Sequence, residues 1–410
     1  MSNRIRKRWF IVCGIVCLFL VALFLVAPRL VPGDMIRDEI IRGVEGATGA
    51  RVTLGEARLR WDWGWSVTLR EGTISGTGAA LAAATGSAND IESYAVEIQD
   101  LSVAPALLPL IRKKLVIKSV QLTGPRLDIH WQNGEAEAVG FAVRITDLNL
   151  GLAQSKTPVP PDLSLAFRVS VDSLVLEGIP YTGLDMKGGY QDKVLEVTAL
   201  SAGRSSGTLM GSFNVDFALN PGGHLEFEAE ADRVPADALL VEWVPDIGQR
   251  LDCELNATVA GGLDLGDNAT VQRTLDISGV LTSDEGVLHA ADWLKDVSKY
   301  LGRRQDLKDV RFSTLRHEFR MIQGRYMVDD LIIGGGDTDW RGTGWLEPEG
   351  AIAMDIDVKL PPGFTPDLGN WSFLAKSLRD AEGRINLPLK LSGRAARPTV
   401  GVDLGRLQPQ

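Results

Sequence analysis

Strict two-residue alternation constrains this chain more than any other feature. Phe213, Val215, Phe217 and Leu219 alternate with Asn214, Asp216 and Ala218, and Leu225, Phe227 and Ala229 alternate with Glu226, Glu228 and Glu230. Farther on, Ile352, Met354, Ile356, Val358 and Leu360 alternate with Ala353, Asp355, Asp357 and Lys359. Successive side chains on a strand point to opposite faces, so each run predicts a strand with one apolar and one wetted face. The same pattern predicts strands at 51–54, 57–60 and 65–70, the last with Trp65, Val67 and Leu69 on one face. Tyr94, Val96 and Ile98 mark another. A strand at 115–122 is separated from Leu127, Ile129 and Trp131 by a Gly124-Pro125 turn. Strands resume at 167–171 and 194–197, and the series closes on Ile385, Leu387, Leu389 and Leu391, where Pro388 predicts an edge position. Gly222-Gly223 and Gly261-Gly262 read as hairpin turns. Connections are too short for repeated crossovers, so the pairing is expected to be mostly antiparallel.

So many one-sided strands create a problem of cover. A six-residue strand shows roughly 95 Å² per face, and about twenty strands show on the order of 1,900 Å². A soluble monomer rarely exposes more than a few hundred Å² in one apolar patch. The helices this sequence predicts are few: an amphipathic one after Gly33-Asp34 using Ile36, Ile40, Ile41 and Val44, and others at 104–114, 236–244, 290–301 and 367–379. They are too small to hide that surface. The sheet must fold over as a sandwich, close as a barrel, or curl into a trough with apolar contents. The first helix either packs on the end of a sheet or rests on a membrane surface.

The N-terminus differs in kind. Arg4, Arg6, Lys7 and Arg8 precede an uncharged apolar run from Trp9 to Ala27. That run has the length of a bilayer-crossing helix, and the sequence at its end is a poor cleavage site. The expectation is a signal anchor whose basic tail stays in the cytoplasm while the body is exported. The chain carries a net charge of −10, so the remainder without those four cations carries −14. An acidic body argues against nucleic acid as a partner. Cys13 and Cys17 fall in the apolar run, which leaves Cys253 alone in the body and rules out an intramolecular disulfide there.

Motifs for chemistry are sparse. His130, His224, His289 and His317 are widely separated and form no metal-binding helix pair, and neither a G-x-S-x-G elbow nor a Walker A sequence is expected. Asp337 and Asp339 beside Gly334-Gly335-Gly336 are the nearest thing to paired carboxylates, but no third ligand is evident. Asp329-Asp330 and Asp284-Glu285 read as turn signals. No catalytic residue, metal or cofactor is expected. Trp61, Trp63 and Trp65 alternate, which would place them together at a groove mouth, at a headgroup boundary or in a core.

Several segments, taken in order, resemble the AsmA family of inner-membrane-anchored envelope proteins. They are the anchor and helix followed by Thr48-Gly49-Ala50-Arg51-Val52-Thr53-Leu54-Gly55, and then Trp61-Asp62-Trp63-Gly64-Trp65. Leu107-Leu108-Pro109-Leu110 follows, leading into 115–127. The C-terminal stretch is similar as well: 286–301, 307–320, 324–333, Arg341-Gly342-Thr343-Gly344, 352–360, Leu387-Pro388-Leu389-Lys390-Leu391-Ser392-Gly393 and Arg397-Pro398. The resemblance implies a mainly β fold with a few helices: an N-terminal transmembrane helix, then an elongated, curved, mostly antiparallel sheet forming a hydrophobic groove. It divides the chain into a cytoplasmic tail (1–8), an anchor (9–27), an N-terminal β region (28–157), a middle β region (158–279) and a C-terminal β region (280–410). It further implies a relation to bridge-like lipid transfer proteins, and a non-enzymatic role in moving phospholipid between the inner and outer membranes of a Gram-negative bacterium. Expected partners are phospholipid and the inner membrane, with outer-membrane proteins or longer family members as further candidates.

Groove-lining candidates are Trp65, Val67, Leu69, Val96, Ile98, Leu127, Ile129, Phe213, Val215, Phe217, Leu225, Phe227, Ile352, Met354, Ile356 and Val358. Arg4, Arg6, Lys7, Arg8 and Trp9 are the membrane-anchor candidates. Two other readings stand beside the conduit: a closed-core scaffold for outer-membrane assembly, and a membrane-anchored hydrolase that would need two carboxylates in a cleft.

Overall fold

The computed structural model describes residues 33–61, 65–80, 91–106, 114–131, 134–152, 163–219, 222–240, 248–289, 309–336, 338–347, 350–364, 379–394 and 397–406. The chain is mainly β with few helices and divides into two compact units, Met1–Asp192 and Lys193–Gln410. The boundary falls inside the predicted middle region.

In the first unit, helix α1 (Gly33–Thr48) precedes seven strands. These are β1 (Arg51–Trp61), β2 (Trp65–Thr77), β3 (Ile91–Pro105), β4 (Lys114–Trp131), β5 (Gly134–Leu152), β6 (Ser164–Leu176) and β7 (Ile179–Gln191). Each pairs antiparallel with the next. Helix α1 stops at Gly49, whose positive φ of 65° suits a residue without Cβ, and whose N–H donates to the Glu45 carbonyl at 2.9 Å. Ile40, Ile41 and Val44 are half-buried, α1 packs on β1, and Glu45 Oε1 accepts the Val52 N–H at 3.0 Å.

Two strands run longer than the sequence implied. The predicted strands at 51–54 and 57–60 are one strand, β1, with only Gly55 left out of the β2 register. Gly124-Pro125 does not turn the chain either, because β4 continues through it and pairs with β5 on both sides. The β3 register passes directly from Thr123 to Leu127 there. A Cβ on Gly124 would sit 2.0 Å from the Glu97 carbonyl oxygen and 2.5 Å from the Phe141 ring, so this glycine serves close backbone approach. Residues 104–105 end β3 and Lys114 begins β4; the rest of the helix predicted at 104–114 is outside the described residues, Ala106 apart.

The second unit carries β8 (Val194–Arg204), β9 (Gly207–Asp216), β10 (His224–Pro235), α2 (Ala236–Leu240), β11 (Leu251–Asp264), α3 (Asn268–Thr274) and β12 (Asp276–Ser283). It continues with β13 (Gly286–Leu288), β14 (Val310–Phe312), β15 (Thr314–Ile322), β16 (Arg325–Gly334), β17 (Asp339–Leu346), β18 (Ala351–Lys359), β19 (Asn386–Arg394) and β20 (Arg397–Val402). The antiparallel order is β8-β9-β10-β11-β12-β15-β16-β17-β18-β19-β20. Strands β13 and β14 branch away: β13 pairs with the first residues of β11 on one side and with β14 on the other.

This branch makes a second layer. Val310 and Phe312 from β14 and Ala236 from α2 join one buried cluster with Leu255, Leu315, Ile333, Trp340, Ile356, Val358, Leu387, Leu389 and Leu391. Leu255, Val358, Leu387 and Leu389 have no exposed surface. Full burial of each is worth about 1.5–3 kcal/mol, so this cluster anchors the unit.

Three local expectations are corrected here. Gly261-Gly262 lies within β11 rather than in a turn, because a Cβ on Gly261 would come within 2.4 Å of the Asp276 carbonyl on β12. Asp329-Asp330 belongs to β16, at a bulge facing Glu318 and Phe319. Pro388 sits on a strand paired on both sides, but β20 pairs only from Leu389 onward. The Pro388 carbonyl accepts the Asp403 N–H at 3.0 Å, and no ladder bond asks for its missing N–H. The helix at 236–244 is described as α2 through Leu240, whereas those at 290–301 and 367–379 lie outside the described residues, Arg379 apart, which forms an isolated bridge to Ile385. Among the described residues no helix is long and apolar enough to cross a membrane, and the predicted anchor at 9–27 lies outside them.

Candidate functional site

Register defines the first unit's apolar face residue by residue, because directly opposed residues share a face. Ala57, Leu69, Leu101, Leu122, Val143 and Val169 follow one another across β1 to β6, and Met186 completes that row on β7. A parallel row runs Val52, Ile74, Val96, Leu127, Ala138, Leu174 and Tyr181. The opposite face carries Thr53, Thr73 and Glu97, and farther along Ser102, Gln121 and Arg144. The buried cluster on this side, Ala138, Phe141 and Val171, is joined only by residues of β3 to β7, which lie side by side in this one sheet, and α1 packs on β1. The side chains shield one another: Leu69, Ile98 and Phe141 are at 2%, 4% and 5% exposure, while Val67, Val96, Leu122, Leu127 and Ile129 stay half-buried. Among the described residues, the buried cluster on this face draws on a single layer of strands.

The groove candidates therefore separate into three groups. Val67, Leu69, Val96, Ile98, Leu127 and Ile129 all lie on the apolar face of the first unit. In the second unit Phe213, Val215, Leu225 and Phe227 share the corresponding face across β9 and β10, with Val215 buried and the others half-buried. Ile352 and Met354 are half-buried on β18, but Ile356 and Val358, two steps along the same strand, are sealed under the second layer at 4% and 0% exposure. Those two face protein. Phe217 belongs to none of these groups, because β9 ends at Asp216. Its N–H donates to the Lys193 carbonyl at 3.0 Å, and in the turn it is 44% exposed, with Leu219 beside it at 65%. The side chain of Trp65, together with Arg4, Arg6, Lys7, Arg8 and Trp9, lies outside what the structure describes.

An aromatic group interrupts the apolar face of the second unit, and alternation alone did not single it out. His317 lies opposite Leu281 and Leu331, and its Nε2 meets Tyr326 Oη at 2.5 Å. Phe319 stacks on both rings, at centroid distances of 5.7 Å to His317 and 5.3 Å to Tyr326. Burial pushes the imidazole below its ordinary range, against the opposing pull of the Asp330 backbone and the Asp329 carboxylate. Burial also pushes the Tyr326 hydroxyl up. The two stay neutral near pH 7. The readable signal was a histidine at an apolar-parity position on β15.

Carboxylate chemistry finds little support. Asp337 is outside the described residues, and Asp339 is committed to Arg384 Nη1 at 2.7 Å and to the Gly335 N–H at 3.2 Å. Against the expectation that no G-x-S-x-G elbow is present, Gly203-Arg204-Ser205-Ser206-Gly207 has that spacing. It is the β8–β9 hairpin turn, with Ser205 at φ 55°, and it joins two strands instead of a strand to a helix. Among the described residues no group of three or more His, Cys, Asp or Glu side chains is placed to hold a metal ion. A shallow depression of about 380 Å³ next to Gly72 and Pro125 is lined by Glu71 and Glu97, with threonines around them. No protein-family model, curated protein or solved structure matches this chain.

Proposed function

We propose that the apolar sheet faces shield the acyl chains of phospholipid, and that the chain is a non-enzymatic carrier held at the inner membrane by residues 9–27, with its body in the periplasm. In this proposal it moves lipid between the inner and outer membranes and belongs with AsmA-like proteins, as the order of its segments suggests. The carrying observation is the seven-stranded sheet of the first unit, apolar on one side, where among the described residues the buried cluster draws only on neighbouring strands of that sheet. Exposing an acyl chain to water costs about 0.8 kcal/mol per CH₂. A lipid lying on this face therefore removes two unfavourable surfaces at once, its own and the protein's. The mechanism is cover, with no bond made or broken.

The scaffold reading retains one specific support, the sealed two-layer core around Leu389 and Val358. That core is where a closed-core protein would place its stability, and the proposal assigns it no cargo.

Gentle purification of the full chain in a mild detergent, followed by solvent extraction and mass spectrometry, tests the proposal. Phospholipid in stoichiometric amount, above that bound by a control membrane protein with a single anchor, is the expected result. A preparation with no lipid above the control would count against it.

A further inference from the structure

Three of the four histidines face an acid. His224 Nδ1 lies 2.7 Å from Asp264, His289 Nδ1 lies 3.3 Å from Asp309, and His130 Nδ1 lies 3.5 Å from Glu135. An imidazolium formed at any of these places has a carboxylate within reach. His317 is placed differently. Its ring lies on the apolar face of the second unit, between Leu281 on β12 and Leu331 on β16, and stacks on Phe319. Nε2 is taken by the Tyr326 hydroxyl, and Nδ1 is buried without a hydrogen-bond partner.

The charged groups on the strands around this ring are engaged elsewhere. On β15 itself, Arg316 and Glu318 alternate to the other face and pair with each other. On β12, none of residues 277–283 is charged. On β16, the Asp329 carboxylate takes Arg320 Nε at 2.5 Å and Nη2 at 2.8 Å, and Arg325 pairs with Glu347 at 2.6 Å. Asp330 lies opposite Glu318. Burial therefore outweighs the pull of the Asp329 carboxylate and the Asp330 backbone, and the imidazole is held below its ordinary range.

A proton added here makes both ring nitrogens donors. The Tyr326 oxygen accepts from Nε2 only by turning its own hydrogen away, and Nδ1 has no acceptor. A buried cation without a partner is costly, and the ring escapes that cost by leaving the face. We propose that His317 is an acid-sensitive latch, whose protonation drives its ring off the apolar face and loosens the β15–β16 hairpin against β12. The latch does not rest on the carrier reading. Its sign follows from linkage: the group costs nothing above the unfolded imidazole pKa of about 6.5, and lowers stability as pH falls from there toward the folded value.

Hydrogen–deuterium exchange of the full chain in mild detergent tests this, read by mass spectrometry from pH 7 to pH 4 with labelling times scaled for the intrinsic rate. Peptides covering 315–333 are expected to lose about tenfold in protection between pH 7 and pH 5, beginning below about pH 6.5. Peptides covering β6 and β7, which contain no histidine, are expected to keep theirs. The H317Q variant keeps an acceptor for Tyr326 but does not titrate in this range, and its 315–333 protection is expected to stay level down to pH 5. H317L, apolar like the leucines on either side, is a second variant with the same expectation. Unchanged protection of 315–333 in the wild type, a loss that begins only below pH 4.5 where carboxylates titrate, or the wild-type loss repeated in either variant would overturn the proposal. The wild-type onset alone decides if neither variant folds.

Discussion

Asp380 shows how individual side chains brace the sealed end of the second unit. Its carboxylate pairs with Lys359 Nζ at 2.9 Å and accepts the Arg384 N–H at 2.8 Å. The hydrogen bond from Lys359 leads the effects that hold its pKa at about 2, down from 3.8. A carboxyl whose folded pKa is depressed contributes stability above its unfolded pKa and loses it as pH falls through the folded value. The contribution should therefore be complete above roughly pH 4 and fade toward pH 2. Thermal unfolding of wild type and Asp380→Asn across this window should show the variant less stable at pH 5, with the two converging near pH 2. A constant gap across the window would mean that ionisation of Asp380 is not the source. The sequence gives Asp380 only as a charge near a glycine; its partner, Lys359, lies 21 residues away and becomes visible only once β18 is placed.

At the scale of elements, alternation identified strands and their apolar parity, but it carried no information about cover. Val358 and Leu127 look alike in sequence, each an apolar residue in an alternating run. One is sealed in a two-layer core and the other is half-buried on a single sheet. The difference comes from β13 and β14, strands of three residues each, too short for periodicity to reveal. Turn residues misled for a related reason. Gly124-Pro125 and Gly261-Gly262 look like turns locally, but in the fold they are places where a neighbouring backbone comes close. The contrast in cover has an energetic consequence. Leu389→Ala should cost about 2–5 kcal/mol, because the sealed core cannot collapse onto the cavity. Leu127→Ala should cost less, about 1–2 kcal/mol, because Leu127 is only partly buried where it packs against Ala138, Phe141 and Val171. Denaturant unfolding monitored by circular dichroism measures both, and equal losses would mean that the two environments are alike.

At the scale of the whole molecule, the two units place different demands on their surroundings. The second contains its own two-layer core, whereas in the first the described buried cluster draws only on neighbouring strands of one sheet with a broad apolar face. The surface estimate from sequence raised the question of cover, and the fold answers it differently in each unit. In the carrier proposal, lipid covers the first unit's face. Leu127 and Gln121 lie on the same strand and point to opposite faces, which allows one comparison to decide. A photo-reactive phenylalanine analogue is placed at each position in the full chain, and the cross-linked products are analysed by mass spectrometry after illumination in membranes. Phospholipid adducts are expected at position 127 and few or none at position 121. Absence of adducts at 127, or equal yields at the two positions, would contradict the proposal.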